Sequence, residues 1–225
     1  MTSTCGPWEA NCYLVGPDEG SECLIVDAGM DAAGPIREMV GSSGRTPVAV
    51  LASHGHLDHV ADAHVLADLY GIPVHIHPAD RHLLSDPGAG LGPQGPALVE
   101  AFYGSAELPE PAQVREWADG ETYELAGLSV RVVHAPGHTP GSVLLHVTDG
   151  ADAQLFSGDV LFAGSIGRTD LPGGSMEQMM ATLRETILTM PYDLAVLPGH
   201  GTTTSIGQEC LANPYLLQAL RGLSS

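Results

Sequence analysis

A six-residue segment, His-Gly-His-Leu-Asp-His at positions 54–59, constrains the fold more than any other part of the chain. Ser53 separates it from the apolar run 48–52, and an apolar run that ends at turn residues predicts a buried strand. His54 and His56 are two residues apart, so their side chains point the same way where the backbone is extended. The segment is therefore expected at a strand end and in the loop beyond it, where α/β proteins place their sites.

The composition of this segment predicts a metal site. Asp58 and His59 are expected in the first turn of a helix over residues 58–70. Neutral imidazoles with one carboxylate are typical ligands of zinc, and also of iron or manganese. A solvated loop with chance histidines is the alternative, and four candidate ligands within six residues disfavour it. His75 and His77 repeat the two-residue spacing without a following Asp-His pair, so packing or a surface position is favoured there.

Three further residues share one pattern, in which a potential ligand lies just beyond an apolar strand and directly after a glycine. They are His138, Asp159 and His200, beyond the predicted strands 128–133, 154–156 and 195–197. Glycine suits these positions because the backbone must turn sharply around a small object. With the first segment they make seven candidate ligands, enough for two metals and a bridging carboxylate: His54, His56, Asp58, His59, His138, Asp159 and His200.

The composition favours one soluble α/β domain over residues 1–225. The chain is 44% hydrophobic and long enough for one large core. Its net charge is −19, with 27 Asp and Glu and no lysine, so we expect neither nucleic acid nor a membrane as a partner. No apolar run approaches the ~20 residues that span a bilayer, and the N-terminus lacks signal-peptide features, so a cytoplasmic location is expected. The four cysteines form no Cys-x-x-Cys pair, which predicts no disulfide framework.

The other patterns predict alternating strands and helices. Segments 13–15 and 24–26 predict a hairpin, and a helix is expected over 32–40. Residues 86–112 are rich in Gly, Pro and Ala, which predicts a long loop or a loop with one short helix. The remaining expected elements are strands at 74–76 and 143–147, a helix over 176–188 with an apolar stripe facing the core, and an amphipathic tail helix over 214–223.

These motifs resemble those of the metallo-β-lactamase superfamily, and they span residues 27–200 in the family's order. The resemblance implies an α/β fold, an αββα sandwich of two mixed β-sheets flanked by helices, with two metals at the edge where the sheets meet. It implies one metal on His54, His56 and His138, another on Asp58, His59 and His200, and Asp159 as the bridge. Asp27, in a Val-Asp-Ala-Gly motif, matches a family aspartate that orients a ligand from behind.

Within the superfamily, segments 11–13, 164–174 and 198–209 resemble the compact bacterial glyoxalase II-type hydrolases. This implies a hydrolase of small 2-hydroxyacyl thioesters that uses two divalent metals, Zn²⁺ before Fe or Mn, with a small acyl-thiol molecule as its partner. A metal-bridging hydroxide is then the expected nucleophile, because no serine or cysteine lies in an elbow or triad pattern. Asp58 has a carboxylate oxygen to spare, so it is the expected catalytic residue that orients the hydroxide and receives its proton.

Arg168 lies in a Gly-Arg-Thr-Asp segment beside the expected pocket. We interpret it either as a substrate-binding anion contact or as half of an internal ion pair with Asp170, since arginine suits both. Longer glutathione thioester hydrolases use a basic C-terminal extension, whereas Arg221 is the one Lys or Arg after His200 here. The preference for glutathione is therefore expected to be modest, and the thiol carrier and acyl group are left open.

Three other activities fit the same motifs. A persulfide dioxygenase would hold a single iron on His54, His138 and Asp159. A lactonase or β-lactamase would use the same fold on another ester or an amide, and a bridging Asp159 disfavours the lactamase. His200 favours the dinuclear hydrolase, because a one-metal site does not need it as a ligand. The metal used in vivo and the oligomeric state are left open.

Overall fold

Two mixed β-sheets pack face to face in the computed structural model, which describes residues 1–221. The first sheet has the order β1-β2-β3-β4-β5-β6. Its strands are β1 (Thr2–Cys5), β2 (Ala10–Val15), β3 (Glu22–Val26), β4 (Thr46–Leu51), β5 (Val74–Ile76) and β6 (Val114–Glu116). Strands β1 to β3 pair antiparallel, and β3 to β6 pair in parallel.

The second sheet is mostly antiparallel and has the order β12-β11-β10-β9-β8-β7. Its strands are β7 (Thr122–Leu125), β8 (Leu128–His134), β9 (Val143–Asp149), β10 (Asp152–Gly158), β11 (Ala195–Pro198) and β12 (Thr204–Ser205). Only β10 and β11 pair in parallel within it. Parallel neighbours carry the chain to the same sheet edge, which matters for the residues that follow each strand.

Helices cover the outer faces of both sheets. They are α1 (Ala33–Ser43), α2 (Leu57–Val60), α3 (Ala63–Tyr70), α4 (Gly95–Tyr103), α5 (Met176–Glu185), α6 (Ile206–Ala212) and α7 (Pro214–Arg221), with 3₁₀ turns at Arg81–Leu84, Pro87–Leu91 and Ile187–Thr189. Helices α1 and α3 pack on the first sheet, and α5, α6 and α7 pack on the second. The predicted αββα sandwich is therefore confirmed. No helix within residues 1–221 is long and apolar enough to cross a bilayer.

The central core lies between the two sheets. In β8, Leu128, Val130 and Val132 are buried while Arg131 is exposed, the period-two pattern of a strand with one face in a core. These side chains pack in one apolar cluster with residues of the first sheet, including Leu24. The packing of the two inner faces holds the sheets together and brings their edges close to each other.

The prediction of a single helix over residues 58–70 is wrong. The structure has two short helices, α2 and α3, with a break at Ala61 and Asp62. The Asp62 carboxylate accepts a hydrogen bond from the Ala33 amide at 2.9 Å, and the Asp62 amide donates to the Ala28 carbonyl at 3.0 Å. These contacts, to the start of α1 and to the loop before it, coincide with the break between α2 and α3.

Other elements follow the predictions with shifted ends. The helix predicted over 176–188 ends at Glu185 and is followed by a 3₁₀ turn, and Met176 at its start is exposed rather than part of the buried stripe. Segment 86–112 contains α4 and a 3₁₀ turn, as its short-helix alternative predicts. Of the predicted tail helix, residues 214–221 are helical and the last two positions lie outside the described residues. His75 is buried against Trp117, which confirms a packing position.

Candidate metal centre

The side chains predicted as metal ligands converge at one edge of the sandwich. The first sheet contributes segment 54–59, which begins in the loop after β4 and ends in α2. The second sheet contributes His138 from the turn between β8 and β9, Asp159 directly after β10, and His200 two residues after β11. The Val143 amide donates to the Ser53 carbonyl at 2.8 Å, so the two ligand-bearing edges are joined through the backbone.

The potential ligand atoms form three overlapping groups, and within each group all atoms lie within 4.8 Å of one another. The groups are His54 with His56 and His138, His54 with His59 and Asp159, and Asp58 with His59 and His200. The first and third groups coincide with the two triplets that the resemblance implies. We refer to them as triplet one (His54, His56, His138) and triplet two (Asp58, His59, His200).

The Asp159 carboxylate lies between the two triplets. Its Oδ1 is 3.3 Å from His59 Nε2, and its Oδ2 is 3.5 Å from both His138 Nε2 and His200 Nε2. Asp58 is more peripheral, with its Oδ2 3.2 Å from His200 Nε2 and 3.6 Å from His59 Nε2. One carboxylate that faces both triplets has the placement that a bridging ligand needs.

Four imidazoles are oriented by a hydrogen bond from the outer nitrogen, Nδ1, to a protein oxygen. The pairs are His54 with Ser53 Oγ (3.0 Å), His59 with Asp27 Oδ2 (3.0 Å), His138 with the Arg168 carbonyl (2.7 Å) and His200 with the Glu9 carbonyl (3.3 Å). A proton held on Nδ1 leaves the Nε2 lone pair free to bind a cation. His56 differs, because its Nδ1 faces His138 Nε2 at 2.8 Å and its ring packs against Gly90.

Asp27 orients one histidine of each triplet. Its Oδ2 accepts from His59 Nδ1 and from Ser53 Oγ, at 3.0 and 2.8 Å, and its Oδ1 accepts from the Ser53 amide at 2.8 Å. A carboxylate only accepts, so the Ser53 hydroxyl donates to Asp27 and accepts from His54 Nδ1. This is the position behind the ligands that the resemblance implies for Asp27.

The motif at residues 11–13 fixes the loop that carries His200. The Asn11 side-chain amide donates to the Pro198 and Gly201 carbonyls at 3.0 and 2.9 Å, and the Asn11 main-chain amide donates to the Gly199 carbonyl at 2.7 Å. A Cβ at Gly199 would collide with the Asp159 carboxylate, so only glycine fits there. The first sheet thereby sets the position of a ligand from the second.

The donor set fits a metal. Among the described residues, the buried atoms His54 Nε2 and Asp159 Oδ1 have no hydrogen-bond partner. A buried polar atom left in this state costs about 1–3 kcal/mol, and coordination to a cation removes that cost. Burial lowers the pKa of His56 and His138 to about 4 and that of His54 well below its ordinary value, so these imidazoles are neutral near pH 7, as metal ligands must be.

Triplet two is an anionic environment. Burial lowers the pKa of His59, but the carboxylates of Asp159, Asp58 and Asp27 outweigh it and raise that pKa to about 10. Burial raises the pKa of Asp58, but the neighbouring His59 and His200 lower it by more. The pKa of Asp58 is therefore held well below its usual range. Carboxylates that stabilise a proton on His59 also stabilise a divalent cation at the same place.

Asp80 is a residue of the site that sequence reasoning missed. It is fully buried, its Oδ2 accepts from the Gly55 amide (3.0 Å) and the Thr139 hydroxyl (2.6 Å), and its Oδ1 accepts from the Gly141 amide (2.8 Å). Gly55 separates two histidines of triplet one, and Thr139 is next to the third. Asp80 therefore ties the two ligand loops together. Its place beyond strand β5 repeats the strand-end pattern and was the available signal.

A cleft of about 440 Å³ opens above the cluster. Its walls comprise His56, Asp58, His138, Asp159 and His200 together with Trp8, Leu91, Leu98, Phe162, Arg168 and Leu171. Arg168 therefore lies where the sequence places it, beside the pocket. It also forms the ion pair with Asp170, Nε to Oδ1 at 2.7 Å and Nη2 to Oδ2 at 2.8 Å. Arg168 is therefore both a residue of the cleft wall and one half of an ion pair with Asp170.

An αββα sandwich with a histidine and aspartate cluster at the shared sheet edge defines a class of metallo-hydrolases. Residues 5–200 match the family model described as metallo-beta-lactamase superfamily. The chain belongs to the metallo-β-lactamase superfamily.

Relatives and solved structures agree with this assignment. An uncharacterized protein of Mycobacterium tuberculosis (strain ATCC 25618 / H37Rv) is 42% identical over 92% of each chain. Hydroxyacylglutathione hydrolase GloC of Haemophilus influenzae is 33% identical over 93% of each. The crystal structure of BLEG-1 B3 metallo-beta-lactamase has a TM-score of 0.82 and 34% identity, covering 96% of this chain and 98% of its own. That of TTHA1623 in a di-iron-bound form has a TM-score of 0.78 and 35% identity, covering 96% and 100%.

Proposed function

We propose that this chain is a dinuclear-metal hydrolase that cleaves a small 2-hydroxyacyl thioester into the hydroxy acid and a free thiol. The observation that carries the proposal is the Asp159 carboxylate, which faces both triplets at 3.3 to 3.5 Å. A relative named hydroxyacylglutathione hydrolase, 33% identical over nearly the whole chain, supports the substrate class. Zn²⁺ is the metal that the imidazole and carboxylate ligands favour, and iron and manganese also suit them.

In this proposal triplet one would hold one metal, triplet two would hold the other, and Asp159 would be shared between them. Divalent metals bound there lower the pKa of water and polarise a carbonyl. Asp58 lines the cleft and is ionised near pH 7, so it can orient the attacking water and accept its proton. The water oxygen bonds to the acyl carbon, the C–S bond breaks, and the thiolate leaves with the electron pair. No side chain has to act as a general acid, because a thiolate departs unprotonated.

The test is metal content combined with thioesterase activity. Wild-type protein is expected to bind two metals and to hydrolyse a lactoyl thioester. Asp159→Ala should lower occupancy at both triplets and reduce kcat/KM at least about a thousandfold. Asp152→Ala, an exposed aspartate on the preceding strand, is the matched control and should behave like wild type. Full two-metal occupancy in Asp159→Ala would refute the bridging role, and a two-metal wild type without thioesterase activity would refute the function.

The second candidate is β-lactam hydrolysis, which a bridging Asp159 disfavours but which 34% identity to a structure named as a B3 metallo-β-lactamase supports. A chromogenic cephalosporin assayed beside the thioester separates the two activities. Metal analysis of protein purified without added metal separates both from the persulfide dioxygenase. One iron per chain, with oxygen consumed in the presence of a thiol persulfide, would assign the site to oxidation instead.

A further inference from the structure

The cleft above the metal centre is mostly apolar and contains one arginine. Five apolar side chains line it: Trp8, Leu91, Leu98, Phe162 and Leu171. Leu91 and Leu98 come from the 3₁₀ turn and helix α4, so the Gly/Pro-rich segment 86–112 supplies part of the wall that a substrate contacts. Apolar walls of this kind favour substrate groups that lose little hydration when they bind.

Arg168 is the one Lys or Arg among the lining residues, and its charge is already matched. Its guanidinium makes two parallel hydrogen bonds with the Asp170 carboxylate, at 2.7 and 2.8 Å. The bidentate geometry uses the Nε and Nη2 edge of the guanidinium, so a substrate carboxylate would have to bind the remaining edge beside the negative charge of Asp170. The hydrogen bonds from Arg168 hold the pKa of Asp170 down at about 2, so the pair stays charged throughout the neutral range.

No other lysine or arginine lines this cleft among residues 1–221. The chain has no lysine, and the other charged groups in the lining, Asp58, Asp159 and the neighbouring histidines, belong to the candidate metal centre. A thiol carrier that bears carboxylates would have to compete with Asp170 for Arg168 under a net charge of −19. An uncharged carrier meets neither obstacle and gains from the apolar wall.

We propose that the cleft favours thioesters of uncharged thiols, and that Asp170 is the specificity-determining residue that disfavours carboxylate-bearing thiols by engaging one edge of Arg168 and placing a negative charge beside the other. This inference rests on the thioester hydrolysis proposed above. Asp170 acts through Arg168 and does not touch the reacting atoms. Because the pair is exposed, with 61% and 68% of the two side chains accessible, the effect is several-fold rather than thousandfold.

The test compares two lactoyl thioesters, one of glutathione, which carries two carboxylates, and one of N-acetylcysteamine, which is uncharged. Wild-type holoprotein should have the higher kcat/KM with the uncharged thioester. Asp170→Asn should shift the ratio of the two values about three- to tenfold toward glutathione, through KM and less so at high salt. Arg168→Met added to Asp170→Asn should cancel the shift. Asp193→Asn removes the same charge at an exposed position outside the cleft lining and is the control.

A binding measurement separates failure of this inference from failure of the proposed function. Trp8 lines the cleft, so its fluorescence can report binding of the S-methyl thioethers of the same two thiols, which cannot be hydrolysed. If neither thioester is hydrolysed, the function fails while the ratio of thioether Kd values still tests selectivity. A wild-type preference for the glutathione compounds would overturn the inference. So would an Asp170→Asn shift no larger than that of Asp193→Asn.

Discussion

The Asp27 carboxylate and the His59 imidazole are joined by a hydrogen bond of 3.0 Å, in which His59 Nδ1 donates to Asp27 Oδ2. The same oxygen accepts from Ser53 Oγ, which in turn accepts from His54 Nδ1. One buried anion therefore orients a histidine in each triplet. Asp27 has a φ of +56°, a left-handed conformation that Asp and Asn adopt more readily than most residues. The position thus requires both a carboxylate and this backbone tolerance.

Replacing Asp27 by Asn should weaken metal binding at both triplets. The amide retains the backbone tolerance but turns one acceptor oxygen into a donor. Either the Ser53 main-chain amide loses its acceptor at Oδ1, or His59 Nδ1 and the Ser53 hydroxyl both lose theirs at Oδ2. Loss of such an orienting group lowers metal affinity by about 10- to 100-fold, measurable by competition with a chromogenic chelator. Asp31→Asn is the matched control, because Asp31 has a φ of +57° and is exposed. An unchanged metal affinity in Asp27→Asn would show that Asp27 is not needed to orient these histidines.

Replacing Asp80 by Asn should lower the free energy of unfolding and loosen triplet one. The carboxylate accepts from two backbone amides and one hydroxyl, and an amide nitrogen in place of either oxygen faces at least one of these donors. We expect a loss of about 2–3 kcal/mol in urea unfolding, together with weaker binding of one of two metals. Asp86→Asn, at an exposed position nearby, should change neither. Equal weakening of both metals would contradict a role specific to triplet one.

The ligands could be predicted because each has a local signal. Segment 54–59, like Asp159 and His200, lies beyond an apolar strand, which is visible as an apolar run in the sequence. A turn that requires glycine is visible as a glycine within a few residues of the ligand. Asp80 also lies beyond a strand, but four residues past the end of β5 and with no glycine before it, and the break at Asp62 has no local signal. Both depend on contacts with residues 25 or more positions away, such as Gly55 for Asp80, which a local pattern does not contain.

Short edge strands were missed for a related reason. Strand β6 has two exposed residues out of three, and β12 has only two residues, so neither has an apolar run to detect. They exist because a neighbouring strand offers free backbone groups for pairing, as β5 does for β6. The Arg168–Asp170 pair, in contrast, joins residues two apart and was predicted as one of two alternatives.

Protonation of His75 should destabilise the protein in mild acid. Burial, helped by Arg115, lowers the pKa of His75 from 6.5 to about 4, and neither ring nitrogen has a partner among residues 1–221. Between pH 6.5 and 4 the unfolded chain binds this proton and the folded chain does not, so stability falls as the pH falls through that window. A shift of this size corresponds to about 3 kcal/mol at most.

The measurement compares wild type with His75→Leu, which keeps an apolar contact with Trp117. Acid titration of the ligand histidines is common to both proteins, so the difference between their unfolding free energies isolates His75. The wild-type value should fall by about 2–3 kcal/mol more than that of His75→Leu between pH 7.5 and 4.5. His82→Leu, at an exposed position, is the control. Parallel losses in wild type and His75→Leu would show that His75 is not the group responsible.

Replacing Glu209 by Gln should raise KM more than it lowers kcat. Glu209 is buried, and its carboxylate accepts from the Thr204 hydroxyl (2.7 Å), the Gly164 amide (2.8 Å) and the Asn213 side-chain amide (2.8 Å). Gly164 belongs to the turn that carries Phe162, whose ring meets the His200 ring edge-on at 5.9 Å and lines the cleft. A glutamine nitrogen at the Oε2 position would face the Gly164 and Asn213 donors, at a cost of about 1–3 kcal/mol. At the Oε1 position it would instead make the Thr204 hydroxyl turn to donate to Gln208 Oε1.

This turn contributes a cleft wall and no proposed ligand, so its displacement should disturb substrate binding before chemistry. We expect KM to rise several-fold in Glu209→Gln while metal content stays at the wild-type level. Glu185→Gln, at an exposed position on α5, makes the same chemical change and should leave KM and stability as in wild type. If metal content fell together with kcat and KM stayed constant, Glu209 would be acting on His200 rather than on the Phe162 wall.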